Sequence, residues 1–404
     1  VKQTKNILLK HFIAIFVVLF LFQVSVLASP SMEQKRVMDG DSVSISLLTC
    51  APGTQVYSLY GHTAIRYTDY KNNIDVAINY GLFSFKKSFF VLRFIFGLTD
   101  YEMGIMPFNA FYEEYMSEGR SVEQQELNLT AAEKKAIVAA INTNYLPENR
   151  VYRYNYFYDN CTTRARDILV SHINGKVCYS ASDCLYPSFR QLIHSFNEDS
   201  PWARFGNDLL LGVKADCKTT FSDYQFLPYN LYKSFSNAKV LDAQGHERAL
   251  VQRQFEVVGG TAPQSEPGFP LRPQTCAWLL LAVIVLLTGI EWLLKSNFWL
   301  LDTFLLLVVG AAGLVLLAML FSEHPTTSTN LQILLLNPLA LAFIWSVTSK
   351  MMKQMEDRFW LYAVLFIMLF IVGGMFQTYA EGMYIVVLSL LVRCVRRLIP
   401  LKYK

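Results

Sequence analysis

Cys161 opens the run Cys161-Thr162-Thr163-Arg164-Ala165-Arg166-Asp167-Ile168-Leu169, directly after Tyr158-Asp159-Asn160. Asparagine is a favoured helix cap, so the pattern predicts a helix over residues 160–171 with the thiol in its first turn. The open N–H groups and the dipole at such an end favour a thiolate and lower its pKa. That is the setting of a nucleophile; the alternative is a buried structural cysteine. A thiolate nucleophile needs a base or cation beside it, and that base needs an orienting third group. His62, in Tyr60-Gly61-His62-Thr63-Ala64-Ile65-Arg66, is the best base, because it starts a β-rich run from which a side chain can point into a cleft. His172 and His194, in helical or loop stretches, and His246, near the end of the soluble stretch, have weaker settings. The return strand brings Asn79, in Ile78-Asn79-Tyr80-Gly81, roughly opposite His62, with Asp75 as the competing third group.

These residues need a scaffold, and the flanking sequence supplies one. Runs 61–68 and 74–80 are β-rich and separated by Tyr70-Lys71-Asn72-Asn73, a hairpin signature. Before them, Val43, Ile45 and Leu47 alternate with Ser44 and Ser46 as a strand does. Residues 151–157 alternate in the same way. Residues 131–144 have amphipathic helical spacing, with Thr130 as N-cap and Glu133 three residues on. A Gly/Pro-rich tether closes the region, from Gly259-Gly260 to Pro267-Gly268-Phe269-Pro270.

The chain divides by composition. Residues 30–274 carry 24 Lys/Arg against 26 Asp/Glu, a balance that gives no basic footprint for nucleic acid. Residues 1–28 read as a secretory signal: Lys2, Lys5 and Lys10 precede an apolar run, and Val26 and Ala28 are small residues before a cleavage point. An uncleaved anchor is the alternative, and either one sends residue 30 onward out of the cytoplasm. After Pro273 come five apolar stretches, 276–294, 298–321, 331–347, 359–376 and 383–398. The third contains Asn337-Pro338, which can kink a helix. The fifth ends in Arg393, Arg396 and Arg397, so a short interfacial helix is its alternative. All basic residues of this half, from Lys295 to Lys404, fall on one side, while loops 322–330 and 377–382 carry none. The positive-inside rule therefore puts those two loops outside, with residues 30–274. Glu323 and His324 then sit at the outer membrane boundary, where His324 can face the site above it.

Five cysteines are extracytoplasmic, Cys50, Cys161, Cys178, Cys184 and Cys217, so at least one stays unpaired. Cys178 and Cys184 bracket a short loop and are the easiest pair; Cys50 with Cys217 is a second guess. No metal-ligand spacing, phosphate loop or serine-hydrolase elbow occurs, and no cofactor is expected. The Phe-rich run 85–98, with Lys86, Lys87 and Arg93 interleaved, has the composition of a membrane-surface element, or of a core helix.

Leu47-Leu48-Thr49-Cys50-Ala51-Pro52-Gly53, the Tyr60–Arg66 run, Asn79-Tyr80-Gly81-Leu82-Phe83 and Asp159-Asn160-Cys161-Thr162-Thr163-Arg164 together resemble the Lnb-type periplasmic domain family. So do Thr99-Asp100-Tyr101 and Phe226-Leu227-Pro228, while Glu323-His324-Pro325-Thr326 and Asn337-Pro338-Leu339 look like that family's membrane half. The resemblance implies an α+β fold: a permuted papain-like (NlpC-type) thiol domain, with the His-bearing strand before the Cys-bearing helix, followed by an α-helical transmembrane bundle. It implies a periplasmic domain over residues 30–258, a linker at 259–275 and about five transmembrane helices over 276–404, in a bacterial inner membrane. It further implies a Cys161–His62 centre that N-acylates lipoproteins, taking an acyl chain from a phospholipid and giving it to a diacylated lipoprotein. Asn79 is the expected third group, and Arg164, Glu323 and His324 are expected to meet substrate. A membrane-tethered thiol hydrolase acting on peptidoglycan or peptides is the alternative enzyme. An envelope sensor or scaffold with a structural Cys161 is the non-enzymatic one.

Overall fold

The computed structural model describes residues 42–83, 93, 95–180, 186–261 and 268–399. The signal segment, Cys184 and most of the Phe-rich run therefore lie outside the described residues.

The N-terminal part is a mixed α+β domain. Its main sheet has seven strands: β1 Val43–Cys50, β2 His62–Asp69, β3 Ile74–Leu82, β4 Asp100–Pro107, β5 Val122–Leu127, β6 Val151–Arg153 and β10 Val251–Val258, in the order β10-β5-β1-β2-β3-β4-β6. Every pairing is antiparallel. A small second sheet joins β7 Lys176–Cys178, β8 Lys239–Leu241 and β9 Glu247–Ala249. The alternation in β1 suggests one wet face, yet all its residues are buried. The strand is central, with helices against both faces: Phe108 and Phe111 of one helix join the Leu48–Cys50 cluster, and helices Ala131–Tyr145 and Pro228–Ser236 lie opposite.

Local signals act as expected at the hairpin and the caps. Asn73 takes a positive φ of 53° in the β2–β3 turn. Thr130 and Glu133 form the reciprocal capping box of helix Ala131–Tyr145. The strand at 151–157 is shorter than its alternation implies and ends at Arg153. The reason is Asn155, whose side-chain oxygen accepts from the N–H groups of Phe157 and Tyr158 and folds the chain into a turn.

Two helices of the C-terminal part, Pro273–Leu293 and Trp299–Leu320, are long and apolar enough to cross a membrane. The third stretch is broken: Leu331–Ala342 and Ile344–Met352 meet at 71°. The stretch leaves helical geometry at 335–338, around Asn337-Pro338, before the short helix Leu339–Ala342, and the 71° break falls at Phe343. Helices Phe359–Gly373 and Met383–Leu398 are shorter. The arginines of the last one turn inward: Arg393 donates to Asp302 at 2.7 and 2.8 Å and to Glu291 at 2.6 Å, with both carboxylates fully buried. These bonds tie the last helix to the first two.

The two parts meet through buried polar contacts. Gly212 N–H donates to the Thr326 carbonyl at 2.8 Å and Val213 N–H to that of Thr329 at 2.7 Å. The buried amides of Gln332 and Gln377 donate to the carbonyls of Asp208 and Leu211 at 2.8 and 3.0 Å. Gly212 is required here, because a side-chain carbon at that position would lie 2.1 Å from the Thr329 carbonyl oxygen. Both loops that the charge rule places outside, around 324–330 and at 377, thus touch the N-terminal domain.

Candidate active site

The helix carrying Cys161 runs Cys161–Val170 and is set by Asn160. The Asn160 side-chain oxygen accepts from the N–H groups of Thr162 and Thr163, each at 2.9 Å. A cap of this kind is worth about 0.5–2 kcal/mol. Its amide also donates to the carbonyls of Tyr156 and Phe226, at 2.9 and 3.0 Å, so one residue fixes the helix start against two loops. The helix lies on β2 and β3, where Thr162 Oγ1 meets Thr63 Oγ1 at 3.0 Å in the interior. The start of this helix, with Cys161, thus lies against β2, which His62 opens, and the thiol and the imidazole act on each other's charge.

The third group follows from register. Asn79 pairs with Ala64, so it is the diagonal neighbour of His62 on the same face. Its Oδ1 accepts from His62 Nε2 at 3.0 Å, which leaves Nδ1 as the ring nitrogen available to the thiol proton. Asp75 sits opposite Thr68 and is held by Arg66 at 2.6 and 2.8 Å, away from the imidazole. Just past Asn79 the β3–β4 register shifts by one residue, a bulge of the sort that re-aims side chains beside sites. Gly81 lies in this bulge with φ +85°, and a side chain there would be both strained and 3.7 Å from the Cys161 Cβ.

The electrostatics follow from the pairing. Burial opposes the charged form of both groups, but each charge stabilises the other. The Cys161 thiol is lowered by His62 and by hydrogen bonds from His62, Thr63 and Thr162. The imidazole is raised by Cys161 and Asn79. Cys50 behaves oppositely: it is buried against Tyr115, and burial pushes its thiol up to about 12. A lowered thiol beside a raised imidazole can act as a nucleophile with its own proton carrier.

The remaining expected residues have other partners. Arg164 makes a bidentate pair with Asp159 at 2.6 and 2.7 Å, and its guanidinium lies 3.5 Å over the Tyr152 ring. Glu323 accepts from Arg153 at 2.8 Å, and its N–H donates to the Phe96 carbonyl at 3.0 Å. His324 follows it, half-buried, with its N–H on Ser322 Oγ at 3.3 Å. The guessed Cys50–Cys217 bridge does not form: Cys50 is inside the sheet, Cys217 is exposed, and both are free thiols. The site residues that the sequence did not flag are Tyr152 and Tyr154, near Gly81 and Cys161. The alternation of residues 151–157 marked a strand but gave no reason to send these phenols toward the thiol.

Fold and site define an α+β domain docked on an apolar helical part. Residues 31–194 match the Lnb N-terminal periplasmic domain, and residues 264–404 match the Lnb transmembrane domain. The chain therefore belongs to the Lnb family, is an inner-membrane protein with its N-terminal domain in the periplasm, and by membership is an acyltransferase whose substrates are lipoproteins. No curated protein and no solved structure matches it.

Proposed function

We propose that this protein transfers an acyl chain from a phospholipid to the α-amine of the diacylglyceryl-cysteine that begins a lipoprotein, through a thioester on Cys161. The Cys161 thiolate attacks the carbonyl carbon of the acyl ester. A C–S bond forms, the ester C–O bond breaks, and the His62 imidazolium gives its proton to the leaving alcohol. The lipoprotein amine then attacks the thioester. A C–N bond forms, the C–S bond breaks, and neutral His62 takes the amine's proton, restoring the starting pair. Asn79 keeps the imidazole turned toward the sulfur throughout.

The observation that carries this reading is the Cys161–His62–Asn79 line, with His62 Nε2 on Asn79 Oδ1 at 3.0 Å and the thiol lowered by the imidazole. The order, a His-bearing strand before a Cys-bearing helix, supports a permuted papain-like arrangement. The docking supports a lipid-facing reaction over a soluble hydrolase: Gln332 and Gln377 of the helical part bond the Asp208 and Leu211 carbonyls and hold the thiol domain on the membrane half. The test is intact-mass measurement of the full-length protein with phospholipid. A fatty-acyl adduct, released by hydroxylamine and missing in Cys161→Ala, is expected. N-terminal lipoprotein peptides from cells carrying Cys161→Ala should be diacylated only. Unchanged triacylation there would end the assignment.

A further inference from the structure

Three phenols near the site differ in how they are satisfied. Tyr80 donates to Asn144 Oδ1 at 2.8 Å. Tyr60 accepts from Asn207 at 2.6 Å and from Asn197 at 3.3 Å. The Tyr152 hydroxyl is buried and has no hydrogen-bond partner among the described residues, in a side chain only 7 % exposed. Leaving such a group unpaired is destabilising, and phenylalanine would fill the same space without that cost. Its location is specific. A side-chain carbon placed on Gly81 would lie 3.7 Å from the Cys161 Cβ and 3.9 Å from the Tyr152 oxygen, so thiol and phenol flank the same glycine. No side chain of residue 81 stands between them.

The ring is also held in place. The Arg164 guanidinium covers one face at 3.5 Å and is itself locked by its two bonds to Asp159. Tyr80 meets the ring edge-to-face at 6.5 Å between centroids. A cation on the ring face withdraws electron density and makes the O–H a better donor. Burial, and after it the nearby thiolate, hold this phenol in its protonated form.

We infer that Tyr152 is a further catalytic residue, whose O–H donates to the carbonyl oxygen of the acyl group as negative charge builds on it during attack by and on Cys161. This rests on the acyl-transfer reading above and adds the group that stabilises its tetrahedral intermediates. A fixed, desolvated donor of this kind accounts for about 10²–10³ in rate. In the same scheme Arg164 is a positioning residue that acts through the Tyr152 ring rather than on substrate.

The test follows acyl-enzyme formation by intact mass in a single turnover, using full-length protein and phosphatidylethanolamine vesicles. Tyr152→Phe is expected to slow adduct formation about 10²–10³-fold. Its alkylation-versus-pH profile at Cys161 should stay that of the wild type, and its melting temperature should be equal or higher. Arg164→Gln should slow the same step and add little on top of Tyr152→Phe. A wild-type rate in Tyr152→Phe, or a lowered melting temperature showing a structural partner for the hydroxyl, would overturn the inference while leaving the thioester in place. Additive losses in the double variant would return Arg164 to the substrate. No adduct on the wild-type protein would remove the acyl-transfer reading and this inference with it.

Discussion

Glu323, on an outer loop of the helical part, accepts a hydrogen bond from Arg153 at 2.8 Å, one residue along β6 from Tyr152. The loop at the membrane boundary therefore reaches the strand that walls the thiol. Arg153 also donates to Asp100 at 3.0 Å and to the Gly97 carbonyl at 3.3 Å, so it joins three segments. Both partners of the pair are about half exposed, and an ion pair in that setting contributes roughly 0–1 kcal/mol.

Glu323→Ala should then leave abundance and melting temperature nearly unchanged and lower lipoprotein N-acylation by less than about tenfold, since 1.4 kcal/mol is a factor of ten. His324→Ala, one residue on, should lower N-acylation without lowering protein abundance. Mass spectrometry of lipoprotein N-termini reads both. Wild-type triacylation in His324→Ala would reduce the loop to a connector.

The titration of Cys161 gives a second expectation. Burial by itself would raise the thiol; the His62 charge outweighs it and the net direction is down, while the imidazole moves up. Both shifts favour the thiolate–imidazolium pair over the neutral pair. Acid protonates the sulfur, and alkali neutralises His62. Iodoacetamide alkylation of Cys161 should follow an apparent pKa below the ordinary value of about 8.5. In His62→Ala the lowering by the imidazole is lost and burial is opposed only by the Thr63 and Thr162 hydrogen bonds, so the apparent pKa should rise and alkylation at neutral pH should fall at least about tenfold. An unchanged profile in His62→Ala would show that the imidazole does not control the sulfur.

Asn79 is buried and bonded to His62 through one oxygen. Asn79→Ala removes the acceptor and frees the ring to turn, a displacement that can cost about 10²-fold in rate. Asn79→Asp keeps an acceptor and adds a negative charge, which raises the imidazole further. It should retain most activity, with the alkaline limb of its rate profile moved to higher pH. Equal losses in the two variants would indicate a packing role instead.

The sequence by itself determined the parts whose signals are local or additive along the chain. The Asn160 cap put Cys161 at a helix start, the 70–73 turn made the hairpin, and one-sided basic residues placed two loops outside; each effect acts within a few residues or sums over a segment. Only tertiary structure decided the pairing across long separations. Register put Asn79, and not Asp75, beside His62, and that depends on which strands neighbour which. The bulge at Gly81 depends on β4, and the unpaired Tyr152 hydroxyl depends on a strand end, a helix start and Arg164 meeting at one point. The same holds for Glu323: its charge and outer position are legible in the chain, but its partner Arg153 is 170 residues away. Contacts at such separations leave no periodicity in the sequence, because they are set by packing of whole elements rather than by neighbours in the chain.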